Sequence, residues 1–348
     1  MSATTMPAYR IVAWEHPPEL VEVEVPHPGP GQLVVRVAGN GLCHSDVGMS
    51  QMPGAMAEVI GWRVPFTLGH EVGGWVEELG AGVAGLQPGD AVALVSPASD
   101  GTCGYCLRGH DSACPNGLVG RGYGRDGGLA PFVLVDSSRF VIKLDGLDPL
   151  VAGPLTDAGA TSYHAVARIL PRVEPGAAVV VIGAGGLGSF AVQHLRALSG
   201  AHVVAVDTNP DRLAYARELG AHDVVEGADT SELRRVLGQD GAAAVLDFVG
   251  VDETIEAGVA VTRPFGAYGV IGVGGGRLHQ PWYSGLPRDG EVFTFQGSTI
   301  ADARDVIAMA ERGMIRSDVD RFTLAQVDEA YEALNAGRLR GRAVVTPA

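Results

Sequence analysis

The chain has 348 residues, 46% of them hydrophobic and 19% charged, a globular composition with room for two domains at roughly 100–200 residues each. Its formal net charge of −15 argues against the basic surface that nucleic acid or an anionic membrane would select. The opening MSATTMPAYRIVAWEHPP has no apolar signal-peptide core, and the longest apolar run, Ala177–Val192, is too short and Gly-interrupted for a membrane span, so a cytoplasmic protein with no membrane partner is expected.

Residues 1–150 read as strands and turns. Val21–Val25 and Leu33–Val37 alternate or run β-branched around the turn residues His27–Gly31, and Gly73–Leu79 and Asp90–Val95 continue the pattern. From about residue 151 strands and helices alternate. Ala178–Ile182 is a buried strand, Gly188–Ser199 has helical spacing, Val203–Val206 is a strand, and Pro210–Leu219 is a helix with Gly220 just beyond it. Asp223–Val225, Ala244–Phe248 and Ala267–Ile271 are further strands, and the tail adds helical Ala303–Gly313 and Leu324–Gly337 before a last strand, Ala343–Thr346. This alternation predicts an α/β fold whose second part is a doubly wound parallel sheet.

The strand Ala178–Ile182 runs into Gly183-Ala184-Gly185-Gly186-Leu187-Gly188. Those glycines at a strand-to-helix turn bring a pyrophosphate close to free helix N–H groups. The next strand ends at Asp207, near the ~20-residue offset at which an acid accepts from a ribose 2′-hydroxyl and repels a 2′-phosphate. The prediction is NAD rather than NADP, with a structural glycine turn as the plainer alternative. Arg212 either flanks the adenosine ribose or sits on a solvated helix face.

Potential metal ligands form two groups: Cys43-His44-Ser45-Asp46 followed by Gly69-His70-Glu71, and Asp100 followed by Cys103, Cys106 and Cys114. The C-x2-C-x7-C spacing points to metal ligation in a reducing compartment rather than to a disulfide framework.

These motifs, in this order along the whole chain and ending in Arg340-Gly341-Arg342, resemble the zinc-containing alcohol dehydrogenases of the medium-chain dehydrogenase/reductase family. The segments Thr67–Glu71, Pro154–Gly159 and Asp247–Gly250 are most similar to bacterial members that reduce secondary-alcohol ketones and aryl aldehydes. The resemblance implies a GroES-like irregular β catalytic domain over 1–153, a Rossmann NAD-binding domain over 154–295 and a C-terminal segment, 296–348, returning to the first. It implies a catalytic zinc on Cys43 and His70, a Cys2His type of site in the family, with Asp157 standing where many members carry a third, cysteine ligand. A structural zinc would sit on Cys103, Cys106, Cys114 and Asp100, the last again in place of a cysteine.

The same resemblance assigns roles around these ligands. Ser45 would pass the alcohol proton outward, Glu71 would be a carboxylate able to exchange onto the zinc, or else a structural acid paired with an arginine, and Asp46 would hold the ring N–H of His70. His44 and Arg342, with Arg340 as a near alternative, would face the cofactor pyrophosphate. Backbone groups around Val249, Ile271 and Val273 would meet the nicotinamide carboxamide, and Phe295 and Trp62 would wall the pocket, with Trp62 otherwise a core or lid residue. Where several relatives end the proton relay in a histidine, this chain has Gly48. A homotetramer is expected, then a dimer. The competing readings are a zinc-free quinone or enone reductase of the same superfamily, which would lack the Cys43/His70 pair, and a non-enzymatic NAD-binding protein.

Overall fold

The computed structural model describes residues 4–96 and 98–347. The chain divides into two compact units, Met1–Ala160 with Gly297–Ala348, and Thr161–Gln296. Among the described residues no helix is long and apolar enough to cross a membrane.

The first unit is organised on the strand Leu33–Gly41, which pairs antiparallel with Glu71–Leu79, Phe132–Val135 and Arg342–Thr346. The sheet continues to Ala91–Leu94 and Val141–Lys143 on one side and to Val319–Thr323 on the other. Alternation decides which side chains go inward. Leu33, Val35 and Val37 join Val72, Val76, Val92, Leu94, Val133 and Val135 in one buried cluster, while the intervening Arg36 is exposed and lies over the Trp75 ring at 4.5 Å. A second cluster, containing Leu42, Met49, Phe66, Leu68, Leu129, Val327 and Leu334, seats the helix Val327–Asn335. Two short helices, His44–Ser50 and Gly54–Ile60, interrupt what the sequence presents as strands and turns. At seven residues each they span about two turns, too few for a helical repeat to stand out.

Two glycines decide how closely this unit folds back on itself. A Cβ on Gly73 would lie 1.9 Å from the carbonyl oxygen of Pro149, and one on Gly153 would lie 2.1 Å from that of Glu71. With only hydrogens there, the helix Pro149–Ala152 and the 3-10 turn Gly153–Thr156 rest directly on the strand Glu71–Leu79. That contact sets Asp157, the next residue, beside the N-terminal end of the strand.

The second unit carries a six-stranded parallel sheet in the order Asp223–Glu226, His202–Asp207, Ala178–Ile182, Ala242–Asp247, Thr262–Val270, Glu291–Phe293. Its central strands read as near-continuous apolar runs because both faces are covered. Val179, Val181, Val203, Ala205 and Leu246 pack on one side, and Val180, Ile182, Val204, Val206 and Val245 on the other. Helices Gly186–Leu198, Pro210–Glu218, Thr230–Leu237 and Asp252–Val261 connect the strands. The strand Ala178–Ile182 has its sequential successor on one side and the later Ala242–Asp247 on the other, so the order reverses there. In such sheets, ligands bind at the carboxyl ends of the strands at that reversal.

Gly183 leaves the strand with φ +86°, and a Cβ on Gly188 would stand 1.8 Å from the carbonyl oxygen of Gly183. The turn therefore closes only with a bare Cα at 188. Gly188→Ala is expected to cost about 1–3 kcal/mol, as other overpacking substitutions do, and to weaken NADH binding. Thermal unfolding and a fluorescence titration with NADH read both, and an unchanged midpoint with unchanged affinity would show that the turn tolerates a Cβ.

Candidate active site

In the first unit, Cys43, His70, Glu71 and Asp157 bring ligand atoms within 4.8 Å of one another. Cys43 is the N-cap of the helix His44–Ser50. His70 follows Gly69, whose φ of +99° and lack of a Cβ permit contact with Asn40, and Glu71 begins the neighbouring strand. Asp157 closes the 3-10 turn. Thus a cap, a strand start and a turn end, far apart in sequence, converge because the glycine contacts let their backbones approach.

His70 and Glu71 are fully buried. Asp46 Oδ1 lies 3.2 Å from His70 Nδ1, and Asp157 Oδ2 lies 3.5 Å from Nε2, yet neither ring nitrogen makes a hydrogen bond. Buried polar atoms are ordinarily satisfied, so an imidazole nitrogen aimed at a thiol and a carboxylate calls for another partner. A zinc ion meets that need, because it takes S, N and O donors in tetrahedral geometry and leaves a position open in catalytic sites. The electrostatics agree with this fit. Burial works against a charge on His70, but Tyr123, Asp46 and Asp157 outweigh it and raise its pKa well above the usual histidine value. Burial likewise opposes ionisation of Asp157, which His70 and Arg342 nevertheless hold below the usual carboxylate range. The cluster is short of positive charge.

Asp46 is almost fully buried and has three partners. Its Oδ2 accepts from the Cys43 N–H at 3.1 Å and from the Tyr331 hydroxyl at 3.1 Å, and its Oδ1 faces His70. This is the geometry that fixes a ligating histidine's tautomer. Glu71 pairs with Arg342, whose Nη2 donates to the Glu71 carboxylate and, at 2.8 Å, to the Leu42 carbonyl. Burial pushes Glu71 up to about 8, and the Arg342 guanidinium offsets only part of that. Arg342, expected to reach the cofactor, is 4% exposed in the first unit, with its Nε unpaired. Arg340 donates its backbone N–H to Asp320.

Ser45 is half-buried, and its Oγ lies 3.2 Å from the Tyr123 hydroxyl. Tyr123 also sets its ring 4.5 Å from the His70 ring and 6.2 Å from Trp62. Burial, with the nearby charges of Asp157 and Cys43, raises its phenol pKa well above the usual value. No sequence motif announces this tyrosine. The available signal is its setting, Gly120-Arg121-Gly122-Tyr123-Gly124, where Gly122 and Gly124 have positive φ and a Cβ on Gly122 would strike the Gly69 carbonyl. His44 and Gly48 are exposed, and Trp62 is buried with its indole N–H donating to the Leu118 carbonyl at 2.6 Å.

Asp100, Cys103, Cys106 and Cys114 form the other cluster, again with ligand atoms within 4.8 Å. The four cysteines of the chain are free thiols. Backbone N–H groups point at the sulfurs, from Cys106 to Cys103 Sγ and from Asp100 to Cys114 Sγ, each at 3.4 Å. Asp100 Oδ1 accepts from the N–H groups of Thr102 and Cys103, and Oδ2 accepts from the Asn116 amide. These hydrogen bonds hold its carboxyl well below the usual carboxylate range. Three thiols and an ionised carboxylate, preset by local turns, fit a closed tetrahedral zinc site.

In the second unit, Asp207 is buried at the end of its strand, accepting from the Ala184 N–H on Oδ2 and the Asn209 N–H on Oδ1. Each carboxylate oxygen keeps a further lone pair for a ribose hydroxyl. Arg212 reaches to 3.8 Å from Asp207 and lines the space beside Gly185. Asp247, fully buried, accepts from the N–H groups of Val249 and Gly250 and from the Tyr268 hydroxyl, fixing the loop that carries Val249. The backbone N–H of Ile271 donates to the Asp247 carbonyl, Val273 is fully exposed, and Phe295 stands edge-on to His164.

Residues 29–146 match the alcohol dehydrogenase GroES-like domain and residues 186–312 the zinc-binding dehydrogenase domain. An NAD-dependent alcohol dehydrogenase of Sulfurisphaera tokodaii is 34% identical over 355 residues, covering 98% of this chain and 100% of that protein. The crystal structure of the alcohol dehydrogenase from Aeropyrum pernix is similar with a TM-score of 0.91 at 33% identity, covering 98% of this chain and 100% of that one. Acetophenone reductase from Geotrichum candidum, solved in complex with NAD, is similar with a TM-score of 0.87 at 27% identity, covering 99% and 98%. The chain belongs to the zinc-containing alcohol dehydrogenases of the medium-chain dehydrogenase/reductase family. Its activity is that of an NAD-dependent alcohol dehydrogenase, an oxidoreductase acting on CH–OH groups with zinc and NAD as cofactors.

If Asp100 completes the second cluster, its thiols are protected as a group. Cys103, Cys106 and Cys114 are expected to resist a thiol reagent until a chelator is added and then to react together, and Asp100→Ala is expected to expose all three without chelator. Independent reactivity of the three thiols in the untreated protein would rule the shared metal out.

Proposed function

We propose that this enzyme interconverts secondary or aryl and alkyl primary alcohols with their ketones or aldehydes, using Cys43, His70 and Asp157 as catalytic-zinc ligands. The observation that carries the ligand assignment is the fully buried His70, whose Nε2 lacks a hydrogen bond while facing Asp157 within the four-residue donor cluster. Similarity to acetophenone reductase supports an aryl-ketone or secondary-alcohol substrate.

When bound, zinc polarises the C–O group as a Lewis acid and the nicotinamide exchanges hydride with its carbon. The residues do the rest. The Cys43 thiolate and Asp157 carboxylate balance the metal's charge. Asp46 keeps the His70 Nδ1 protonated so that Nε2 presents a lone pair. Glu71, steadied by Arg342, is the carboxylate able to exchange with the substrate oxygen. The Ser45 hydroxyl accepts the alcohol proton and passes its own onward. On the second unit, the glycine turn 183–188 receives the pyrophosphate and Asp207 accepts from the ribose, with Arg212 alongside. Backbone groups around Val249, Ile271 and Val273 hold the carboxamide. His44 and Arg342 are assigned to the pyrophosphate through the family resemblance, which for Arg342 requires that it reach the cofactor from its pair with Glu71. The same resemblance supports a cytoplasmic homotetramer, a state that light scattering in solution measures.

Turnover of 1-phenylethanol with NAD, followed by NADH absorbance, tests the assignment. Cys43→Ser is expected to lose the catalytic zinc and nearly all activity. Ser45→Ala is expected to keep zinc and lose kcat by about 10²-fold, at the lower end of general acid–base effects. Full activity in Cys43→Ser would overturn the catalytic-zinc assignment, and full activity in Ser45→Ala would overturn the serine's role.

A further inference from the structure

We propose that Tyr123 is a positioning residue for proton transfer, its hydroxyl aligning that of Ser45; the inference rests on Ser45 as the group that takes the alcohol proton. A serine hydroxyl turns freely about its Cβ–Oγ bond, so its lone pair faces a substrate reliably only if its hydrogen is tied elsewhere. Tyr123 supplies that tie, with its oxygen 3.2 Å from Ser45 Oγ.

The tyrosine is itself held from several directions. Its ring lies against the His70 ring at 4.5 Å with an interplanar angle of 35°, and Trp62 stands 6.2 Å away on another side. Its backbone is locked in a tight turn, the Gly120 N–H donating to the Tyr123 carbonyl and the Tyr123 N–H to that of Gly120, at 2.8 and 2.9 Å. Gly122 and Gly124 press this turn onto Gly69 and Trp62, where a Cβ at either position would come within 2.8 Å of its neighbour. One side chain therefore touches both the metal-ligating histidine and the proton-accepting serine, and the backbone gives it little freedom to leave.

The transfer balances atom by atom. As the alcohol O–H breaks, an O–H forms at Ser45 Oγ; the serine's original proton passes to the Tyr123 oxygen 3.2 Å away; the tyrosine's own proton passes on to water. Both side chains end neutral, and one proton has moved from the alcohol to solvent. In carbonyl reduction each transfer runs in reverse.

Tyr123→Phe keeps the ring against His70 and removes the oxygen. In the zinc- and NAD-loaded enzyme, kcat for 1-phenylethanol is expected to fall about five- to tenfold, the rate equivalent of one neutral hydrogen bond. Zinc content and the NADH affinity read by fluorescence are expected to stay unchanged. The Ser45→Ala/Tyr123→Phe double variant should be no slower than Ser45→Ala alone. The two single substitutions should also shift the urea midpoint non-additively, a readout independent of turnover. Full kcat in Tyr123→Phe beside a slow Ser45→Ala would overturn this inference and leave the serine's role standing, whereas full kcat in Ser45→Ala would remove the premise itself. Additive losses in both kcat and midpoint would also overturn it. Tyr123→His, which restores a hydrogen-bonding atom on a ring, keeps the test decisive if the phenylalanine variant folds poorly: partial recovery of kcat over Tyr123→Leu supports alignment by hydrogen bonding, and equal loss in both contradicts it.

Discussion

Around His70 the chain gathers the buried carboxyl groups of Asp46 and Glu71 and the half-buried Asp157 carboxyl and Cys43 thiol, with one guanidinium, that of Arg342, beside them. Removing ionised groups from water costs several kcal/mol each unless opposite charge or hydrogen bonds compensate. One arginine offsets part of the cost at Glu71. Asp46 is covered by an N–H, a hydroxyl and the histidine. What remains is a thiol, an imidazole nitrogen and the Asp157 carboxylate directed at a common point, which a divalent cation satisfies. Much of the first unit serves this constraint: the glycine contacts at Gly73 and Gly153, the cap at Cys43, and the C-terminal strand and helix that supply Arg342 and Tyr331.

Both metal clusters contain a carboxylate where a thiolate is the commoner partner, Asp157 in one and Asp100 in the other. The two are prepared differently. Asp100 takes its hydrogen bonds from within its own loop, so its orientation is set before any metal arrives. Asp157 is oriented by contacts between remote segments, and its charge depends on His70 and Arg342. Carboxylate oxygen is a harder donor than thiolate sulfur and shifts preference away from soft metals, so both sites remain suited to zinc with less sulfur than a thiolate-rich relative would provide.

Legibility in the sequence followed the range over which each feature is determined. The second unit was readable because a strand buried on both faces is a run such as Ala178–Ile182, and the glycine turn with Asp207 is a local pattern. The lobe of Asp100 and three cysteines falls within fifteen positions and needs no tertiary knowledge to suspect. The Glu71–Arg342 pair, the Tyr331–Asp46 bond and the contact of Tyr123 with Ser45 join positions 271, 285 and 78 residues apart, and nothing in the local pattern names those partners. Arg342 illustrates the difference. Family resemblance assigned it to the cofactor, and packing puts it against Glu71, one of the two roles weighed for that acid. The seven-residue helices at His44 and Gly54 were missed for the opposite reason, being too short to display a period.

With Asp157 and Asp100 as ligands, the four cysteines of the chain would divide one and three between two zinc sites. Zinc K-edge absorption on the purified enzyme, combined with metal analysis, tests it most directly. Two zinc ions per chain and an average of two sulfur neighbours per zinc are expected, the remaining donors being nitrogen and oxygen at the shorter distances typical of imidazole and carboxylate. One zinc per chain, or an average sulfur number far from two, would contradict it.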